Sequence, residues 1–238
     1  MKAMILAAGR GTRMAPLTDN CPKPLLLLAG QPLIVHHIKK LVKAGIHEIV
    51  INHAWLGSMI EDKLGDGSHL GASIHYSPEE QALETAGGIL QALPLLGQES
   101  FLLVNGDVWI DGGYERFLVP ELLPSGLNEQ RLAHVWLVPN PDHNPDGDFV
   151  LTDGLVHDDG AGFGHVAGEV ADKLTFSGIS LIHPDLVADL EPGKRPLAPV
   201  LRQAMACGQV SGSALPADCG WVDVGTPERL RQLHDRLT

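Results

Sequence analysis

The chain has 238 residues, 44% of them apolar, 5% aromatic and 19% charged, with a formal net charge of −12. That length suits one domain with a substantial core, and the acidity argues against a polynucleotide partner, whose phosphates it would repel. No apolar run approaches a membrane span and no signal peptide opens the chain, while Cys21, Cys207 and Cys219 are widely spaced without a C-x-x-C pair, so the expected setting is a reducing cytoplasm without disulfides or structural zinc.

In chain order, Lys2–Leu6 reads as a strand and Pro32–Ala44 as a helix begun by proline and ended by Gly45. Glu48–Asn52 is a strand, Leu56–Leu64 a helix stopped at Gly65, Ala72–Tyr76 a strand and Thr85–Leu93 helical. Phe101–Val104 is a continuous apolar strand. Short apolar strands alternating with helices predict βαβ units and a mostly parallel sheet, with ligands at the carboxyl ends of its strands. After about residue 133 the texture changes. Ala133–Val138, Phe149–Leu151 and Leu174–Ile182 read as strands and Ala198–Ala206 as a helix, but 140–164 is rich in Pro, Asp, Gly and His. Thr226 caps a final helix with Pro227 at its first position. The predicted architecture is one α/β domain, a Rossmann-like three-layer sandwich whose central sheet is mixed but mostly parallel. A nucleotide-binding half, 1–132, precedes a second half, 133–238, that adds strands over the sheet's edge.

The first loop carries the chemistry. Met4–Ala8 breaks at once into Gly9, Gly11, Arg10, Arg13 and Lys23, with Pro16, Pro22 and Pro24 among them. Glycines at a strand end let backbone amides approach a ligand, and amides beside Arg13 make an anion nest suited to phosphate. The P-loop string G-x-x-x-x-G-K-[ST] is absent, and the dinucleotide fingerprint fails because Met14 stands where its third glycine belongs. From these letters alone the loop binds an anion of another kind.

The longer pattern is more specific. Leu6-Ala7-Ala8-Gly9-x-Gly11-Thr12-Arg13-Met14-x-Pro16-Leu17-Thr18, then Pro22-Lys23-Pro24-Leu25, closely resembles the signature of sugar-1-phosphate nucleotidylyltransferases. The likeness continues through Asn105-Gly106-Asp107 and Trp221-Val222-Asp223-Val224-Gly225-Thr226-Pro227, so it spans nearly the whole chain. The resemblance implies the nucleotide-diphospho-sugar transferase fold and a reaction joining a nucleoside triphosphate to a sugar 1-phosphate, with release of pyrophosphate. It places the Ala7, Ala8, Gly9, Gly11 and Thr12 loop around the triphosphate, Arg13 on the departing pyrophosphate and Lys23 where nucleophile meets α-phosphorus. Such transfer is mainly positioning and charge neutralisation, which needs fixed cations, amide donors and a metal.

Asp107 leaves the carboxyl end of a buried strand, where a carboxylate is well placed to hold Mg²⁺. Asp223 sits between Val222 and Val224 and, in a strand, faces away from both. The resemblance offers a metal shared by the two aspartates, expected to be octahedral Mg²⁺ completed by phosphate oxygens.

Glu84-Thr85-Ala86-Gly87-Gly88 resembles the family's base-binding segment, with Gly87 and Gly88 expected against the base and Gln81 and Glu80 as candidates for its edge. Asn105, Gly147 and Gly178 fall where relatives contact the sugar. The family's Glu-Lys-Pro sugar motif is missing; Glu169 and Lys173 lie in its region at another spacing, and Glu169 is the candidate there. Asn52 and His53 close a strand at the crevice, either touching substrate or forming a satisfied polar pair. His36, His37 and His143 show no metal spacing and read as structural or solvated.

Ile51–Gly57, Asn105–Trp109 and Gly147–Phe149 together look like one subfamily, the N-acetylmuramic acid α-1-phosphate uridylyltransferases of bacterial cell-wall recycling. UTP and a sugar 1-phosphate are then the expected partners. A mannose-1-phosphate guanylyltransferase or another hexose-1-phosphate enzyme is the alternative within the family, because base choice rests on few contacts. The alternative of another class is a non-catalytic nucleotide-sugar sensor, against which the joint presence of Arg13, Lys23, Asp107 and Asp223 argues.

Overall fold

The structure is a computed structural model and describes residues 1–118, 130–158, 173–216 and 218–238. Its first half runs β1 (Ala3–Leu6), β2 (Leu27–Leu28), β3 (Gln31–Pro32), α1 (Leu33–Lys43), β4 (Glu48–His53), α2 (Gly57–Leu64), β5 (Ser73–Pro78), α3 (Glu84–Leu96) and β6 (Phe101–Asn105). The second half continues through β7 (Val108–Ile110), β8 (Ala133–Val138), β9 (Phe149–Thr152), β10 (Leu155–His157), β11 (Lys173–Ile182), α4 (Leu197–Ala206), β12 (Val210–Ala214), β13 (Trp221–Asp223) and α5 (Pro227–Leu237).

The helix boundaries follow the expected chemistry. Pro32 precedes α1 and Gly45 follows it at φ +83°, while Ile34, Ile38 and Leu41 form its buried stripe. At α5 the Thr226 Oγ1 accepts the Arg229 amide proton at 3.3 Å, with Pro227 inside the first turn. No helix among the described residues is long and apolar enough to cross a membrane.

The main sheet has nine strands in the order β5-β4-β1-β6-β11-β8-β12-β10-β9. Pairing is parallel from β5 through β6, as the βαβ pattern requires. Residues alternate between faces: Ile5, Ile49, Ile51, Leu102 and Val104 pack with α1 and α2 in one apolar cluster. Met4, Val50, Phe101 and Leu103 pack with α3 and α4 in another. In register, Leu6 pairs with Asn52 on one side and Asn105 on the other. Three strands therefore end side by side, and the loops leaving them open on the same crevice.

The α/β class and the mixed sheet are as expected. The second half adds its strands beyond β6, as expected, but the expected parallel majority is not found. β11 runs antiparallel to β6 and β8, β12 is parallel to β8, and β10 is antiparallel to β12 and β9. A further antiparallel pairing between β9 and β11 closes β11-β8-β12-β10-β9 into a ring. The reason lies in the connections. β9 turns into β10 through Asp153-Gly154, both at positive φ (49° and 75°), a two-residue hairpin that permits only antiparallel neighbours. A ring leaves no open edge on this half of the sheet.

Candidate active site

The loop after β1 is held in shape by its own contacts. Gly11 sits at φ +67°, and a Cβ there would lie 3.2 Å from Thr18 and 3.3 Å from the Lys23 stem, so the loop's turn and its close packing both require glycine. Thr18, fully buried, donates its hydroxyl proton to the Gly11 carbonyl at 2.8 Å. Arg10 donates to the Thr18 carbonyl at 2.7 Å and lies 3.7 Å from the centre of the Trp55 ring. One loop arginine is thus consumed in holding the loop. The other, Arg13, is exposed and has no hydrogen-bond or ion-pair partner among the described residues, although it faces the crevice.

Lys23 starts a single helical turn, Lys23–Leu25, between Pro22 and Pro24, and its side chain is only 11% exposed. Its Nζ donates to Asp107 Oδ2 at 2.8 Å. Asp107 follows β6, and its carbonyl accepts the Val224 amide proton at 2.7 Å. The short pair β7–β13 sets Asp223 opposite Val108, so backbone pairing brings the two aspartates, far apart in sequence, to one recess. Asp223 Oδ2 accepts from Arg229 Nη1 at 2.8 Å and lies 3.2 Å from His143 Nε2. Among the described residues the Oδ1 atoms of both aspartates accept no hydrogen bond. Beneath Asp107, the buried His37 imidazole is kept neutral: burial, then the Lys40 cation, push its pKa down to about 3 against the pull of Asp107, and Nδ1 lies 2.7 Å from the Tyr114 hydroxyl.

Three connected hollows make up the cleft, and Asn105 borders all of them. The first, about 430 Å³, is lined by Ala7, Ala8, Gly9, Gly11, Thr12, Arg13, Lys23, Asn105 and Asp107, with Asn52, Ala82, Glu84 and Thr85 opposite. The second, about 290 Å³, extends past Asn105 to Phe149, Phe176 and Leu201. The third, about 320 Å³, holds Arg13, Asp107, Asp223, Gly178, His143 and Asn144. Asn105 itself makes no side-chain hydrogen bond among the described residues.

Several expected residues stand elsewhere. Gly87 and Gly88 lie inside α3 and are buried, and neither lines the cleft; Ala82, Glu84 and Thr85 do. A Cβ on Gly87 would lie 2.3 Å from the Gly193 carbonyl oxygen, and one on Gly88 2.7 Å from Glu79 Oε1 and 2.8 Å from Asn52 Nδ2. These glycines admit close packing within the fold. Gln81 is exposed and outside the lining; Gly147, at φ +64°, packs on Asn140 and Lys173 behind it. Glu169 lies outside the described residues. The Ala7 amide is spent on Asn52 Oδ1 at 3.0 Å, and Asn52 in turn donates to Glu79 Oε1 at 2.7 Å. Asn52 therefore both lines the crevice and fixes the strand end, whereas His53 is a paired residue, 2.6 Å from Glu61. Gly88→Ala is expected to break the Asn52–Glu79 bond and lower stability by about 2 kcal/mol, read as a reduced midpoint in chemical denaturation.

His143 is the clearest departure from its structural or solvated reading, since it lines the Asp223 recess. It reaches Asp223 and Arg229 across 80 and 86 residues of sequence, which no local spacing announces. Asp148 was also missed as a site element: its Oδ2 accepts the Phe176 amide proton at 2.7 Å and shapes the wall beside Phe149. The signal was the Gly147-Asp148-Phe149 run itself.

Residues 2–121 match the family model described as nucleotidyl transferase. The chain is 53% identical over 235 residues to an N-acetylmuramate alpha-1-phosphate uridylyltransferase of Neisseria meningitidis, covering 98% of this chain and 96% of that one. A protein of the same name from Caulobacter vibrioides is 33% identical over 244 residues, covering 99% and 96%. Among solved structures, HddC from Yersinia pseudotuberculosis, complexed with GMP-PN, superposes with a TM-score of 0.77 at 19% identity, covering 100% of this chain and 99% of that one.

Proposed function

This chain belongs to the nucleotidyl transferase family, and we propose that it transfers a uridylyl group from UTP to N-acetylmuramate α-1-phosphate, giving UDP-N-acetylmuramate and pyrophosphate. One observation carries the reading: an arginine without a partner among the described residues, a nearly buried lysine and two aspartates converge where β1, β4 and β6 end side by side. The near full-length likeness to a uridylyltransferase supplies the substrates.

In this reading the triphosphate lies along the loop after β1, with Arg13 on the β- and γ-phosphates. Among the described residues Arg13 has no protein anion to surrender, so its charge is available as the leaving group forms. Lys23 sits at the α-phosphorus, held by two prolines, and releases Asp107 for phosphate as substrate binds. The sugar phosphate oxygen attacks the α-phosphorus in line; that bond forms as the bond to the pyrophosphate oxygen breaks, without a covalent enzyme intermediate. Asn105, which borders all three hollows and whose carboxamide bonds no other described residue, stands between the phosphates and the sugar.

Asp107 and Asp223 fit a Mg²⁺ ion in donor chemistry: two carboxylates, each with one uncommitted oxygen. No group of three or more His, Cys, Asp or Glu among the described residues is arranged to hold a metal. Two carboxylates therefore suit an ion that keeps water and takes phosphate oxygens, as Mg²⁺ does. Bound there it would neutralise phosphate charge. The three free thiols support a reducing cytoplasm as the setting, with recovery of cell-wall sugars as the role.

The test is a panel of four nucleoside triphosphates against N-acetylmuramate, N-acetylglucosamine, mannose and glucose 1-phosphates, followed by pyrophosphate release. The expected result is turnover highest with UTP and N-acetylmuramate 1-phosphate. A preference for GTP and mannose 1-phosphate would overturn the assignment, and binding without pyrophosphate release would make the protein a sensor.

A further inference from the structure

The hollow beyond Asn105 has a mixed lining that the transfer chemistry does not explain. Phe149, Phe176, Pro196, Leu197 and Leu201 make an apolar wall suited to small alkyl groups on a sugar. Glu84 and Asp148 bring negative charge to the same space. Each is occupied: Glu84 lies 3.4 Å from Lys194, and Asp148 accepts from the Phe176 amide and, at 3.2 Å, from Asn144. Among the described residues lining this hollow, one cation remains, Arg202 of α4. It projects where Phe149 closes the wall, with its guanidinium carbon 5.8 Å from the ring centre.

Arg202 is already a carboxylate binder: its Nε donates to Asp158 Oδ1 at 2.6 Å. Asp158 is its carboxylate partner among the described residues and engages the Nε edge. A guanidinium holds a second carboxylate through its Nη edge, which is why arginine is used for planar anions. Both partners of the Asp158 pair are nearly half exposed (45% and 46%), so the arginine is accessible to ligand.

We propose that Arg202 reads the lactyl carboxylate of N-acetylmuramate 1-phosphate and so sets the sugar specificity of the reaction; the inference rests on the function proposed above. N-acetylmuramate differs from N-acetylglucosamine by a lactyl ether on O3, which adds a methyl group and one negative charge. A chain of net charge −12, with two acids in the hollow, repels that extra anion unless a cation meets it there. Arg202 supplies the cation, and the apolar wall takes the methyl groups.

Steady-state kinetics with UTP, Mg²⁺ and either N-acetylmuramate or N-acetylglucosamine 1-phosphate test the proposal in wild type, Arg202→Met, Arg202→Lys and Asp158→Asn. Arg202→Met is expected to lower kcat/KM for the muramate sugar about 30-fold, mostly through KM, while the glucosamine sugar shifts less than about threefold. Arg202→Lys should recover part of the loss, and Asp158→Asn should not reproduce it. If the second sugar turns over too slowly, competition by UDP-N-acetylmuramate against UDP-N-acetylglucosamine gives the same ratio. Equal losses on both sugars, an unchanged ratio, or an Asp158→Asn loss as large as that of Arg202→Met would overturn the proposal. A wild type that ignores the muramate sugar would instead overturn the parent function, visible before any variant is made.

Discussion

Lys23→Met is expected to lower kcat about a thousandfold, the scale on which one preorganised charge at a transferring phosphoryl group acts. Methionine is the informative replacement because it keeps the aliphatic stem. The Lys23 Cβ and Cδ pack against the Gly11 turn, so truncation to alanine would loosen the triphosphate loop and confuse two effects. Lys23 is also held in a prolyl-flanked turn with its side chain 11% exposed. Its charge therefore acts in a site where solvent screens little. KM for UTP is expected to rise less than kcat falls, because the charge is needed most as the α-phosphorus changes partners. Activity within tenfold of wild type would remove Lys23 from the point of attack.

Asp107→Asn and Asp223→Asn are each expected to cost about a thousandfold in kcat/KM, with the double variant falling little further. Non-additivity of that kind marks two groups that serve one function. The Asn variants leave the backbone scaffold in place: the Asp107 carbonyl still accepts the Val224 amide, and the β7–β13 pairing still sets Asp223 against Val108. A Mg²⁺ titration of each variant should show a weakened metal requirement, whereas a purely scaffolding role would leave the midpoint unchanged. Losses that simply multiply would argue that the two aspartates act independently.

Much of the site was legible because its chemistry is local. Gly9, Gly11, Arg13 and Lys23 fall in one loop, and the ends of β1 and β6 follow from short apolar runs bounded by polar residues. The parallel half was legible for the same reason, since each strand is followed by a helix with its own start and stop. What the letters concealed depends on contacts between distant segments. Gly87 and Gly88 look like a ligand surface in sequence, yet the nearest groups are the Gly193 carbonyl, Glu79 and Asn52. His143 and Arg229 meet Asp223 only because the β13 turn and the segment before β9 converge. β12, Val-Ser-Gly-Ser-Ala, has one β-branched residue and no aromatic one, so little in it announces a strand, and the sheet imposes its conformation. The β9–β10 hairpin has one local signal, the Asp153-Gly154 dipeptide, set in a stretch rich in Pro, Asp, Gly and His, whereas the closing β9–β11 pairing has none.

The opening loop also shows how similar residues divide the work. Two arginines three positions apart are indistinguishable by composition. In the fold Arg10 is fixed on Trp55 and the Thr18 carbonyl, while Arg13 faces the cleft with no partner among the described residues. One cation braces the loop and the other faces the cleft.

The most direct test is a crystal structure with UDP-N-acetylmuramate and Mg²⁺ bound. The expected density places the diphosphate among Arg13, Lys23, Asp107 and Asp223, the uracil against Ala82–Thr85, and the lactyl group toward Arg202. A product bound with its diphosphate away from Lys23 and Asp107, or its sugar outside the hollow of Phe149 and Phe176, would contradict the account.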